Sequence, residues 1–443
     1  MTTRVLVGTG GVLVAALVAI GLADQLHLRI PFFLASYGVA FAAYLVAVRF
    51  VLRESSAPRS ALVVMAVVTV AARVAVLPAR PELSTDVYRY VWEGRVVLDG
   101  GNPFATPPAD SSLAHLRNQD FDLINHRPLT TIYPPLAQGL FALGAWIAPN
   151  VVALKSVFTL FDLGIVLVLL ALLRARGRPA THALVYAWSP LVIVETAHSG
   201  HLDAAGAFFL VLGVTLIVTG RRVWGGVALG ASFLVKYLAA AIVPFFARRG
   251  QRIALPILVA TAMLGFLPFL DAGDGLTRTL ITYGSQWSFN GPPFMVLSVL
   301  LGEEARARLA LTVLGAIVVL VAAMRERDIA RYAFIVIGAA LLLSPTVYPW
   351  YLVWIVPFLC VFPNRAWIAF TGLIGISYWV WIVYDATGAW MLPNWALALE
   401  YVPFYGLLLW DAGRARESGR GGSHRGFPTR TSAASRDFQS GAS

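Results

Sequence analysis

Charge is scarce in this chain. Only 13% of its 443 residues are Asp, Glu, Lys or Arg, while 58% are hydrophobic; soluble domains carry about 25% charged residues. The deficit excludes an ordinary soluble domain and puts the chain among polytopic membrane proteins. Lysine is nearly absent: Lys155 and Lys236 stand alone, so almost all the positive charge is arginine. Cysteine is reduced to Cys360, which excludes an intrachain disulfide; it sits in an apolar run and reads as structural. There is no P-loop, GxGxxG or CxxC and no repeat of fixed period, so nothing supports nucleotide or redox chemistry. The net charge of +11 does not argue for nucleic acid, because the arginines fall in short loops and in the tail, as the positive-inside rule expects.

What is present is a succession of apolar runs. A span needs about 20 apolar residues, and candidates are 5–23, 31–51, 61–79, 151–173, 180–196, 203–220, 253–270, 307–324, 331–346, 349–363, 366–384 and 395–411. The first, Val5–Ala23, is long enough to span and is followed by others, so it reads as an uncleaved helix and not a signal peptide. The fold class is all-α and polytopic, a bundle of about 12–14 transmembrane helices. Residues 1–79 form N-terminal membrane helices, 80–149 an extracytoplasmic loop with juxtamembrane helices, 150–411 the main bundle, and 412–443 a disordered basic tail with Arg414, Arg416, Arg420 and Arg425.

Arginine sets the orientation. Arg49, Arg53 and Arg59, then Arg174, Arg176 and Arg178, Arg221 and Arg222, Arg248, Arg249 and Arg252, Arg325 and Arg327, and Arg365 mark loops expected in the cytoplasm, with both termini. Two segments must then fail to cross. Tyr133–Pro149 is expected to lie in the outer leaflet, and 223–247 to be two half-helices meeting near Lys236. Irregular backbone at membrane depth is tolerated only where it lines a cavity, so a cavity is expected there.

One island interrupts the apolar pattern. Residues 81–131 are polar, charged and aromatic, and lie on the outer side in this topology. A helix is expected from about Asp86 to Gly100, capped by Ser84 or Thr85. Asp86, Tyr90, Glu93 and Val97 share a face, and Arg89 can pair with Glu93 at i, i+4. The helix is either an interfacial anchor with an acidic first turn or the carrier of a general base, a carboxylate whose pKa rises beside a low-dielectric region.

Three other groups carry chemistry. His198-Ser199-Gly200-His201-Leu202-Asp203 lacks metal-ligand spacing and reads as a polar helix start that binds substrate hydroxyls or braces the Asp86 loop. Lys236 lies within an apolar stretch, where a charge is by default functional; holding the phosphate of a lipid-linked donor is the preferred role, snorkelling the alternative. Lys155, near a helix end, is expected to snorkel. Ser344–Tyr351, with two prolines, Tyr348 and Trp350, is either an interface anchor or the floor of a sugar or polyprenyl site. Trp287 and Asn290 fit a second external loop of that kind.

The order of these features resembles the GT-C glycosyltransferases, specifically the bacterial polyprenol-phosphate-mannose-dependent mannosyltransferases, and more distantly the mannosyltransferase of GPI-anchor synthesis. The resemblance covers roughly residues 60–411. It is carried by Asp86-x-Tyr88-Arg89-Tyr90-x-Trp92-x-Gly94-Arg95, Asn102-Pro103-Phe104, Asn125-x-Arg127 and Thr131-Ile132-Tyr133-Pro134-Pro135, then by the Gly-His-x-Asp motif and the intramembrane lysine. It implies an inverting transfer of a sugar, mannose by resemblance, at the outer face of the bacterial cytoplasmic membrane. The donor would be a polyprenyl-phosphate sugar and the acceptor a glycolipid or glycan.

In the implied site Asp86 is the catalytic base. Lys236, with Arg89 and Arg127, offsets the departing phosphate. Tyr88, Glu93, Asn125, Tyr133, His198, His201, Asp203, Tyr348 and Trp350 bind substrate. Two N-terminal spans precede the Asp loop here, a departure from the usual GT-C order. The loop has no Asp-x-Asp pair, so neither metal nor cofactor is expected. The competing readings are a transporter or flippase for a lipid-linked sugar, a lipid-linked oligosaccharide ligase or polymerase, and a GT-C enzyme using arabinofuranose or glucose. A flippase of this size is commonly built from inverted repeats, and none is visible.

Overall fold

The computed structural model describes residues 2–54, 58–247 and 253–421, and among them the fold is helical, without a strand. Among the described residues seven helices are long and apolar enough to cross a membrane: Thr2–Gly21, Ile30–Val51, Arg59–Val76, Val151–Ala175, Ala254–Ala272, Glu304–Arg325 and Arg365–Thr387. Shorter apolar helices fill the space between them, among them Asp203–Val218, Arg222–Val235 and Ile329–Leu343. The protein is a multi-pass membrane protein. The Arg248, Arg249 and Arg252 loop, the side chains of Arg414, Arg416 and Arg420, and 422–443 with Arg425 lie outside the described residues; the last helix, Asn394–Gly421, runs on past position 412.

Helices α1 (Thr2–Gly21), α2 (Ile30–Val51) and α3 (Arg59–Val76) pack together at the N-terminal end. Their sequences are apolar all round, as lipid-facing helices must be. On α3 one stripe, Val63, Val67, Val70 and Val74, is exposed, while Ala61, Met65, Val68, Ala72 and Val76 are buried.

The run 180–196, expected as one span, is instead a chain of short turns: a 3-10 turn Ala180–Ala183, helical turns Leu184–Ala187 and Pro190–Ile193, and a π turn Val194–His198. Pro190 lacks the N–H a continuing helix needs. The broken backbone survives because it is enclosed by protein; Trp188 and Tyr186 have no exposed surface. The run 349–363 is broken in the same way, into Pro349–Trp354 and Val356–Leu359.

A buried ion pair holds α3 to α6 (Val151–Ala175) and to this broken segment. Arg73 donates from Nε to Asp162 Oδ2 (2.7 Å) and from Nη1 to the Ala187 carbonyl (2.6 Å), and Tyr186 donates to Asp162 Oδ1 (2.8 Å). Such a pair is tolerated in the interior because its polar atoms are bonded. Lys155 does not snorkel. It is fully buried and donates to the Ala79 carbonyl at 2.7 Å.

The island folds as an ordered cap. Helix α4 (Asp86–Leu98) packs on α5 (Pro135–Ile147) so closely that a Cβ at Gly94 would sit 2.2 Å from the Phe141 carbonyl oxygen. With 13 residues, α5 is about 20 Å long and too short to span the roughly 30 Å apolar layer. Downstream, the helix Arg222–Val235 stops at Lys236, whose backbone is extended, and a 3-10 segment Tyr237–Ala247 follows. The expected break in 223–247 therefore falls at the lysine itself.

Candidate active site

Asp86 is the first residue of α4, and its backbone N–H donates to Ser84 Oγ at 3.3 Å, so Ser84 caps the helix and Thr85 does not. The loop that follows returns Asn125 to it. The Asn125 carboxamide donates to Asp86 Oδ1 at 2.6 Å. Burial raises the Asp86 carboxyl above the ordinary aspartate value; the Asn125 hydrogen bond, Lys236 and Arg89 pull it back, and Asp203 pushes with burial. One edge stays open, with 21% of the side chain exposed.

Arg89 is the clasp that shapes this loop. It pairs with Glu93 at 2.7 Å and donates to the carbonyls of Asn125 (3.3 Å), His126 (3.1 Å) and Leu129 (2.7 Å). Glu93 also accepts from Thr131 Oγ1 (2.7 Å) and Gln138 Nε2 (2.8 Å). The expected i, i+4 pair is thus present, but both members are buried in the loop's own framework. Neither projects as a ligand toward the space at Asp86. Arg127 pairs at the surface with Asp122 (2.7 Å) and lies over Phe121. Tyr88, two residues past Asp86, falls on the opposite face of α4, in a shallow cleft with Trp92, Arg95, Asn118 and Asp120. Tyr133 packs its ring against Tyr90 and Phe141, where it feels the Asp86 charge.

The Gly-His-x-Asp motif faces Asp86 from the other side. Gly200 has φ +78°, and a Cβ there would meet Val87 of α4 and Lys155 at 2.9 Å each. Only glycine turns the chain so tightly against α4. The turn sends the two histidines apart. His198 is buried beside Ser199 (3.4 Å) and is pushed down to about 3 by burial and by the Lys155 charge. His201 reaches the site, with Nδ1 3.8 Å from Asp86 Oδ2 and Nε2 3.6 Å from Glu195 Oε2. Burial and then the Lys236 charge hold its pKa well below the usual imidazole value, so it is neutral. Among the described residues no three His, Cys, Asp or Glu side chains converge as metal ligands would.

Asp203 opens the next helix and accepts from Lys236 Nζ and from Trp354 Nε1, both at 2.6 Å onto Oδ1; Oδ2 has no partner among the described residues. The Lys236 ammonium also lies 4.2 Å from the Tyr351 ring centre, and the Tyr351 and Tyr283 hydroxyls meet at 2.5 Å. The wall is aromatic: His201 stacks on Trp350 (3.9 Å between centres), Trp350 on Tyr348 (4.4 Å) and Tyr348 on Phe289 (4.8 Å). Two loops distant in sequence meet here through the backbone, Phe289 N–H to the Pro345 carbonyl (3.0 Å) and Val347 N–H to the Phe289 carbonyl (2.8 Å). Asn290 does not reach the site, since it donates to buried Glu400 at 2.7 Å.

Asp86, Asn125, His201, Asp203, Lys236, Tyr348 and Trp350 are therefore brought together, while Tyr88, Arg89, Glu93, Arg127 and His198 are turned elsewhere. Tyr351, the end of the stretch Ser344–Tyr351, joins the site, and Glu195, Tyr283 and Trp354 belong to the group and were missed. An acidic residue inside the apolar run 180–196 was the available signal for Glu195; for Tyr283 and Trp354 there was none.

A base-like carboxylate, a lysine and a stacked aromatic wall, gathered beneath an ordered polar cap on a polytopic bundle, suit a membrane enzyme that handles a sugar. Residues 5–249 match the family described as alpha-(1->6)-mannopyranosyltransferase, N-terminal domain. Over 361 residues the chain is 25% identical to alpha-(1->6)-mannopyranosyltransferase A of Mycobacterium tuberculosis (strain ATCC 25618 / H37Rv), covering 71% of this chain and 68% of that protein. No solved structure matches. The chain belongs to that mannopyranosyltransferase family: it is a membrane glycosyltransferase that transfers mannose to a glycan or lipid acceptor, and the transporter reading falls.

Proposed function

We propose that the protein moves mannose from a polyprenyl-phosphate donor to a lipid or glycan acceptor, with inversion and with Asp86 as general base, at the outer face of the cytoplasmic membrane. The acceptor oxygen bonds the anomeric carbon as the bond to the phosphate oxygen breaks, the electron pair leaving with the phosphate and the proton passing to Asp86. A β-linked donor gives an α-linked product, and the family's description supports an α-(1→6) linkage. The observation that carries this reading is the Asp86 carboxylate, buried but for one open edge, aimed by Asn125 and raised by burial toward the range where a carboxylate works as a base.

Lys236, bonded to Asp203 but with part of its side chain exposed, meets the leaving phosphate, while the donors of Arg89 are taken by the loop carbonyls and Glu93. Such preorganised charge acts where negative charge develops. Asp203, through its unpartnered Oδ2, accepts from a sugar hydroxyl. The wall of Trp350 and Tyr348 offers ring faces to the sugar or the isoprenoid chain.

The test is transfer from radiolabelled polyprenyl-phosphate-mannose to endogenous lipid in membranes, wild type beside Asp86→Asn. Transfer by wild type alone supports the donor and the base together. Transfer by both removes Asp86 as base, and transfer by neither removes this donor. A chelator is expected to leave the rate unchanged; a large loss would revive a metal.

A further inference from the structure

His201 is 1% exposed, and among the described residues neither ring nitrogen has a hydrogen-bond partner. Buried histidines kept for packing alone are ordinarily hydrogen-bonded. Each nitrogen instead faces a carboxyl group on a different element: Asp86 on α4 at 3.8 Å, and Glu195 on the π turn at 3.6 Å. Glu195 is itself fixed, accepting from the Tyr378 hydroxyl at 2.7 and 2.9 Å. Trp350 covers one face of the imidazole, 15° from parallel, which holds the ring plane and favours a positive charge on it.

We infer that His201 takes over the proton that Asp86 withdraws from the acceptor, with Glu195 and Trp350 holding the ring for that step. The inference rests on the proposed role of Asp86 as base. Asp86, once protonated, passes its proton to Nδ1 of the neutral His201 and is again a carboxylate; the imidazolium lies beside that carboxylate, with the Glu195 carboxyl group at its other nitrogen and Trp350 on its face, which offset the burial and the Lys236 charge that disfavour it. When product leaves and water reaches the open edge of Asp86, the proton returns through the same contact and is lost to solvent. No atom or electron is left over. The Asp86–His201 distance is long for proton transfer, but catalytic hydrogen bonds commonly tighten only when substrate is bound. His201 and Glu195 act through Asp86 and are positioning residues. The expected tautomer places the proton on Nε2, toward Glu195, and the lone pair of Nδ1 toward Asp86.

Two measurements on the full-length protein in detergent test this. In transfer from a short-chain polyprenyl-phosphate-mannose to an octyl mannoside, His201→Asn is expected to lower kcat about 100-fold with little change in either KM. Glu195→Gln is expected to lower it about 10-fold, and the double variant to be no worse than His201→Asn, as for groups acting as one unit. A raised acceptor KM at unchanged kcat, or losses that multiply, would overturn the inference and leave His201 as a sugar contact. Should His201→Asn not fold, His201→Gln takes its place.

The second readout needs no donor. In a ¹⁵N spectrum of histidine-labelled protein, the signals lost in His201→Asn identify His201. They are expected to report the Nε2–H tautomer in wild type and a mixture in Glu195→Gln. An Nδ1–H tautomer, or signals indifferent to Glu195→Gln and Asp86→Asn, would overturn the inference. If wild type transfers nothing from this donor, it is the donor assignment that fails, and the spectrum still decides the role of His201. If Asp86→Asn is inactive while His201→Asn is fully active, the inference fails and the base stands.

Discussion

Asn125 donates to Asp86 Oδ1 at 2.6 Å across 39 residues of chain. The bond stabilises the ionised carboxylate against the burial that favours the neutral acid, so it sets where Asp86 titrates. The other charged and titratable groups around Asp86 are Lys236 and Arg89, which favour ionisation, Asp203, which opposes it, and His201. The base must be ionised to act. Activity is therefore expected above the folded-state pKa and lost as pH falls through it, at a higher pH than an ordinary aspartate would give. Asn125→Ala removes a lowering contact and should move the acid limb of kcat/KM further up. Profiles of wild type and variant that coincide would show that Asn125 does not tune the base.

Asp86→Asn keeps the volume of the side chain and the capped start of α4 while removing the proton acceptor. Folding should survive, judged by gel filtration in detergent. The kcat should drop by at least 100-fold, in line with the ~10²–10⁴ that general bases contribute. A fall confined to KM would point to binding.

Lys236 bonds Asp203 and lies against Tyr351 at the break between two half-helices. If it meets the donor phosphate, Lys236→Ala should raise the donor KM at least 10-fold and the acceptor KM little. Equal effects on both, or none on the donor, would return the lysine to a purely structural pairing with Asp203.

Gly94 separates the backbones of α4 and α5, and an added Cβ would fall 2.2 Å from the Phe141 oxygen and 2.4 Å from its carbon. Because both are main-chain atoms, the helices themselves must move. Gly94→Ala is expected to cost about 1–3 kcal/mol, the range for overpacking, and to lower the melting temperature in detergent. Activity should fall with it, since α4 carries Asp86. An unshifted melting curve would mean that the α4–α5 contact yields without cost.

Much of this was legible along the chain. The charge deficit named the membrane class. The spacing of Arg89 and Glu93 gave their pair, and the arginine loops required a break in 223–247 that falls at Lys236. The island marked where Asp86 and Asn125 would be found. Other readings failed because a one-dimensional pattern does not show what encloses a segment. The apolar run 180–196 looks like a lipid-facing span, yet it is broken turns sealed inside protein, and its one acid, Glu195, faces His201. Lys155 looked able to snorkel until Ala79 closed over it.

By itself, then, the sequence determined the helical membrane fold and the residue types available for chemistry, because hydropathy and local spacing act over a few turns of chain. The tertiary structure alone decided which of two histidines three residues apart meets Asp86. A positive φ at Gly200 turns His198 toward Lys155 and His201 toward the carboxylates. That outcome depends on how α4, the π turn and the broken helix at Lys236 pack against one another, and contacts between distant segments leave no periodic mark in the sequence.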